Sequence, residues 1–72
     1  MQLGQDPWTA LPPRLRRVAP LIAEGYSNGE IAGVVGLAQH TVELYVSELM
    51  GLLECHNRVK LARLLAGWCG GA

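Results

Sequence analysis

Ser27-Asn28-Gly29-Glu30-Ile31-Ala32-Gly33-Val34-Val35-Gly36-Leu37-Ala38-Gln39-His40-Thr41-Val42 carries two helix starts and a stop between them. Ser27 followed three residues later by Glu30 is a capping box, in which each side chain takes a backbone N–H that the first turn leaves free. The helix it opens is expected over about Asn28 to Val35, burying Ile31, Val34 and Val35 and stopping at Gly36. Gly36-Leu37-Ala38-Gln39 reads as a tight turn, and a longer helix should follow from about Gln39 to Leu53. A short helix, a glycine-containing turn and a longer helix make a helix-turn-helix pattern. The pattern alone also fits other small bundles.

Helical projection of the longer segment puts Val42, Tyr45, Val46, Leu49 and Leu53 on one face. Glu43, Leu44, Ser47, Glu48 and Gly51 point the other way. Upstream, Leu11-Pro12-Pro13 opens a helix with proline in its first turn, where no N–H is needed. Leu15, Val18 and Ile22 continue from Leu11 along one apolar face, and Gly25 closes the element. Pro20 should kink its last turn, because proline removes an interior hydrogen bond. Downstream, Asn57 is positioned to cap a last helix from about Arg58 to Trp68, ended by Cys69-Gly70-Gly71. The expected domain is therefore all-α with four helices over residues 11–69, a flexible arm over 1–10 and a tail over 70–72.

The chain has 72 residues, with six Lys+Arg against six Asp+Glu. A domain this short buries only about 60% of the surface its unfolded chain exposes, so one core is marginal and a partner is expected. Half the residues are apolar and 17% are charged, which argues against disorder. No apolar run approaches the roughly 20 residues that span a bilayer, and MQLGQDPW is no signal peptide. A soluble cytoplasmic domain is expected, and Met1 followed by a short arm favours a whole protein over a fragment. Trp8 reads as a local packing residue. Cys55 and Cys69, roughly 20 Å apart if helical in between, read as two free thiols. Cys55-His56 lacks a second ligand pair at zinc spacing, so neither metal nor cofactor is expected. With no glycine-rich phosphate loop and no nucleophile–base arrangement, an enzyme is not expected.

From Leu11 to about Trp68 the chain resembles the DNA-binding domain of LuxR/FixJ-type bacterial transcription regulators. The resemblance is carried by Leu11-Pro12-Pro13-Arg14, by Leu21-Ile22-Ala23-Glu24-Gly25-Tyr26-Ser27-Asn28-Gly29-Glu30-Ile31-Ala32, and by Val35-Gly36-Leu37, His40-Thr41-Val42 and Asn57-Arg58-Val59. It implies a third helix in the major groove of double-stranded DNA and a fourth helix that pairs two copies. It assigns Glu43, Leu44 and Ser47 to the bases, with Tyr45 where the family often has His. Thr41 and Val42 at the start of the third helix, together with Asn28 and Arg58, complete the expected DNA-binding set, Thr41 at phosphates. On the last helix, Leu61, Leu64, Leu65 and Trp68 recur at i, i+3, i+4 and i+7, with Val59, Ala62 and Ala66 beside them. A helix apolar over so much of its circumference buries two faces, so this stripe is expected to form a homodimer interface. Cover by a further domain would satisfy it equally.

The departures from the family pattern fall on the DNA-facing side. The family usually carries a basic residue at Glu43, Lys at Leu52, and a basic or polar residue at Glu48. Between Val18 and Asn57 there is no Lys or Arg, but Glu24, Glu30, Glu43, Glu48 and Glu54 are all there. Non-specific DNA affinity comes from phosphate neutralisation by Lys and Arg, so an acidic third helix meets repulsion. One glutamate could still read cytosine N4, while Glu48 and Glu54 read as solvated. Arg14, Arg16 and Arg17 could supply phosphate contacts instead. Ala38 stands where the family has a capping Ser. Leu15 and Arg17 replace family glutamates, one of which would pair with the arginine matching Arg58, so Arg58 needs another partner here. The expected function is a dimeric DNA-binding transcription regulator. The competing reading is a helix-turn-helix that has lost DNA binding and uses its acidic third helix on a protein partner: a basic partner, another regulator of the same family, or the transcription machinery.

Overall fold

The computed structural model describes residues 10–70; residues 1–9 of the expected arm, Trp8 among them, and the last two residues lie outside them. Among the described residues the regular structure is four helices: α1 Pro13–Ala23, α2 Asn28–Val35, α3 Gln39–Leu52 and α4 Arg58–Gly70. The all-α expectation holds. α4 runs past Trp68, so Gly70 belongs to the helix and not to a tail. Among these residues no helix is long and apolar enough to cross a membrane.

Each boundary has a local cause. Pro12 and Pro13 occupy the N-cap and first position of α1, and the Pro12 carbonyl accepts from the amides of Leu15 and Arg16 at 2.9 and 3.1 Å. The helix continues through Pro20 to Ala23. The bond Pro20 cannot make would go to the carbonyl of Arg16, an exposed residue where water can serve. The capping box at α2 is complete: the Ser27 amide donates to Glu30 Oε1 at 2.8 Å, and the Glu30 amide donates to Ser27 Oγ at 3.1 Å. Asn57 Oδ1 accepts from the amides of Val59 and Lys60 at 2.7 and 3.2 Å, capping α4. Ala38 gives α3 no such bond.

α1, α2 and α3 end in the same way. A residue in the left-handed region turns the chain, and the next amide reaches back five residues to a helix carbonyl. Tyr26 donates to Leu21, Leu37 to Ala32 and Cys55 to Met50, at 3.1, 3.1 and 2.9 Å. Glycine supplies the turn at Gly25 and Gly36, with φ of 90° and 74°. At the end of α3 the residue is Glu54, with φ 53°, a conformation that costs a side-chain-bearing residue about 1–2 kcal/mol.

The core lies between α1, α3 and α4, with α2 contributing Ile31. Leu15, Val18, Ala19 and Ile22 of α1 meet Val42, Val46 and Leu49 of α3 and Leu61 and Leu65 of α4. α1 packs most extensively on α4, while α2 and α3 pack on each other. Cys55 is buried as a free thiol and donates to the Asn57 carbonyl at 3.5 Å. One expectation for α2 fails: Val34 is 62% exposed. An eight-residue helix presents a single narrow face to its neighbours, here Ile31 with Ala32 and Val35 partly buried, and Val34 falls outside it.

Candidate nucleic-acid interface

The turn at Gly36 sets α3 against α2 so that Val42, Val46 and Leu49 enter the core. The opposite side then faces water. Glu43, Leu44, Ser47 and Gly51 are exposed there, Leu44 by 55%. Thr41 is half-buried at the helix start. Tyr45 is half-buried and packs on the core edge, so its ring supports the helix more than it projects from it. Val42 has no exposed surface and cannot touch DNA; assigning it to the binding set was wrong, because the same position is needed to anchor α3.

Asn28 and Arg58 also change role. The Arg58 guanidinium donates from Nη1 to Asn28 Oδ1 and from Nη2 to the Tyr26 carbonyl, both at 2.7 Å. Both residues are half-buried. This fork ties the start of α4 to the loop and first turn of α2. It is the replacement partner that the missing glutamate required. Neither group is free to serve a phosphate while the fork is closed.

The other basic residues divide sharply. Arg14 makes a two-pronged ion pair with Glu48 across α1 and α3, its Nε lying 3.3 Å from Oε1. That hydrogen bond and the carboxylate charge raise the Arg14 pKa above its ordinary value, so it stays charged. Glu48 is therefore neutralised and not merely solvated. Arg17 donates from Nη2 to the Val35 carbonyl at 2.8 Å, satisfying the C-terminal end of α2. Glu43 accepts from Gln39 Nε2 at 3.4 Å and lies 3.8 Å from His40 Nδ1, one turn back on its own helix. Sequence reasoning saw the acidic face but missed that Arg14 and Arg17 are already occupied.

The expected dimer stripe splits in two. Leu61 and Leu65 are fully buried in their own domain against α1 and cannot reach a second chain. Trp68 is half-buried and packs on the same core. Of the four, Leu64 alone offers a largely open side chain, 43% exposed, and Val59 at 61% lies beyond it. The helical stripe was real, but it served the chain's own core.

These features, a capped short helix, a glycine turn and an outward-facing third helix held by a core on α1 and α4, coincide with a known domain. The family model for bacterial regulatory proteins of the luxR family matches residues 9–65. The chain belongs to the luxR family. Among its relatives, the two-component response regulator PprB of Pseudomonas aeruginosa is 43% identical over 56 residues, covering 78% of this chain and 20% of PprB. The transcriptional regulatory protein UhpA of Escherichia coli is 42% identical over 65 residues, 89% of this chain and 32% of UhpA. The DNA-binding transcriptional activator DevR/DosR of Mycobacterium tuberculosis is 38% identical over 58 residues, 81% of this chain and 27% of that protein. This luxR-family chain thus spans between a fifth and a third of the length of these relatives. No solved structure matches it significantly. Membership places it among regulators and not among enzymes.

Proposed function

We propose that this luxR-family domain binds double-stranded DNA in transcription regulation, with α3 in the major groove and two copies joined through α4. The observation that carries the reading is the outer face of α3. Glu43, Leu44 and Ser47 stand exposed on a helix whose other side is locked into the core. Base edges in the major groove offer cytosine N4 to the carboxylate and thymine methyl to Leu44. Thr41, near the start of α3, lies where backbone amides and a hydroxyl can meet a phosphate. Its bacterial regulator relatives support action at DNA in the bacterial cytoplasm.

For the dimer, the surface left after packing is Val59, Leu64 and the exposed Ala66 and Gly67 of α4. It is smaller than the full leucine stripe and calls for modest affinity. Binding to a pool of random duplex DNA at low salt, repeated as salt rises, tests the reading. A bound fraction with a negative salt slope supports it, and Glu43→Lys should then change base preference at one position per half-site. A folded domain that binds no duplex at the lowest salt overturns it. Sedimentation equilibrium tests the pairing: Val59→Asp should give monomer without loss of helix content.

A second reading has one observation in its favour. Leu44 is 55% exposed beside Glu43 on a face without Lys or Arg, which also suits a protein partner. Reversing the charges of Glu43 and Glu54 together, which leaves the Arg14–Glu48 pair in place, should weaken such a complex while leaving the fold intact, and unchanged affinity would exclude it.

A further inference from the structure

His40, Glu43, Leu44 and Ser47 recur at i, i+3, i+4 and i+7, so His40 shares the outer stripe of α3 with the three residues read as facing the bases. Its side chain is 79% exposed. With no Lys or Arg between Val18 and Asn57, it is the one side chain of α3 that can become a cation. The Glu43 carboxylate is held between two residues of the preceding turn. Gln39 Nε2 donates to its Oε2 at 3.4 Å, and its Oε1 lies 3.8 Å from His40 Nδ1. The Gln39 amide in turn lies close to α2: a Cβ added at Gly29 would come within 3.3 Å of its Oε1. Among the described residues Glu43 is the carboxylate within ion-pair reach of the imidazole. Charged groups on the helices packed against α3 are turned to other partners. Glu30 of α2 accepts from the Ser27 amide, Arg14 and Arg17 of α1 hold Glu48 and the Val35 carbonyl, and Arg58 of α4 holds Asn28 and the Tyr26 carbonyl.

We propose that His40 binds a backbone phosphate of the duplex as imidazolium, bridging that phosphate and Glu43, so that each chain takes up a proton from solvent when it binds DNA. This deepens, and rests on, the reading of α3 as the groove-entering helix. A helix whose outer face meets base edges passes a sugar–phosphate strand where it enters the groove. His40 stands at that end of α3, one turn before Glu43 and Leu44 and next to Thr41. In the free chain the imidazole sits between the positive end of the helix and the Glu43 carboxylate, which act on its charge in opposite senses. A phosphate strand adds negative charge alone, so binding favours the protonated ring. With the ring neutral, Glu43 presents an uncompensated charge to the strand. With the ring protonated, the pair has no net charge: Nδ1–H faces Glu43 and Nε2–H is left to donate to a phosphate oxygen. The complex holds the proton more tightly than the free chain does. Affinity is therefore full below the range where a free imidazole titrates, about pH 6.5, and falls as pH rises above it.

The test uses the full chain and a duplex selected from the random pool at about pH 6, with affinity followed by fluorescence anisotropy to about pH 8. One proton per chain gives a fall of up to about tenfold per pH unit per chain. The slope of log affinity against log salt should be steeper at about pH 6 than at about pH 8, by up to about 0.9 per chain. His40→Gln should flatten the pH profile and weaken binding at the acid end. His40→Lys, a permanent cation, should also flatten it but keep the acid-end affinity and the steep salt slope at both pH values. His56→Gln should retain the wild-type profile. Circular dichroism and sedimentation check that each variant keeps its helix content and association state. Wild-type binding that does not change with pH, a profile unaltered in His40→Gln, or one salt slope at both pH values overturns this proposal and leaves the DNA reading standing. Failure of the wild type to bind any duplex at the lowest salt, at either pH, overturns the DNA reading, and the role of His40 falls with it.

Discussion

Replacing Arg58 by methionine keeps most of the alkyl stem and removes the fork. Two hydrogen bonds are lost, to Asn28 Oδ1 and to the Tyr26 carbonyl, each 2.7 Å long and half-buried. Bonds to a charged group are worth about 1.5–3 kcal/mol apiece, and partial exposure lets water recover some of that, so the loss should be about 2–4 kcal/mol. A domain of this size has about 4–11 kcal/mol in total. At roughly 4–8 °C per kcal/mol, the melting temperature should fall by about 10–25 °C. Asn28→Ala removes one of the two bonds and should cost about half as much, and the double variant should show a coupling of about 1–2 kcal/mol. Arg58→Lys keeps the charge, but a single ammonium cannot hold both acceptors in one plane, so most of the loss should persist. Urea and thermal denaturation followed by circular dichroism measure all four variants. An Arg58→Met variant within about 0.5 kcal/mol of wild type, or a coupling near zero, would refute the reasoning and return Arg58 to the surface as a free cation.

Glu54→Gly places glycine where φ is 53° and should stabilise the domain by about 1 kcal/mol, raising the urea midpoint. Ala38→Ser gives α3 the side-chain cap it lacks, and a gain of about 1 kcal/mol in thermal denaturation is expected. Glu48→Gln releases Arg14 at the edge of α3; DNA affinity at low salt should rise and its salt slope steepen by about one contact, with an unchanged slope showing that Arg14 lies away from the phosphates.

Much of the backbone plan was legible because its signals are local. A capping box needs only Ser27 and Glu30, an N-cap only Asn57, and a left-handed helix end only the residue that turns. Those interactions form within a few residues of chain, so reading the letters in order is enough. The outer face of α3 was legible for a related reason: a regular helix carries its own periodicity, and Glu43, Leu44 and Ser47 fall opposite Val42, Val46 and Leu49 whatever surrounds them. The family resemblance came from the same short segments.

Questions of partnership depended on distant parts of the chain. Leu61 and Leu65 form an apolar stripe whether it faces α1 or a second copy, and only the packing of α1 on α4 assigns it to the chain's own core. Arg14 and Glu48 are far apart in sequence, as are Arg58 and Asn28, and nothing local announces either pair. By itself the sequence determined the four helices, the capped starts of α2 and α4, the glycine ends of α1 and α2, the face that α3 turns outward and the shortage of basic residues along it. The tertiary structure alone decided which cations were already committed: Arg14 to Glu48, Arg17 to the Val35 carbonyl, and Arg58 to Asn28 and the Tyr26 carbonyl. The physical reason is that backbone capping and helical period are settled within a turn or two, whereas the use of a charge or an apolar face is settled by whatever the fold brings opposite it.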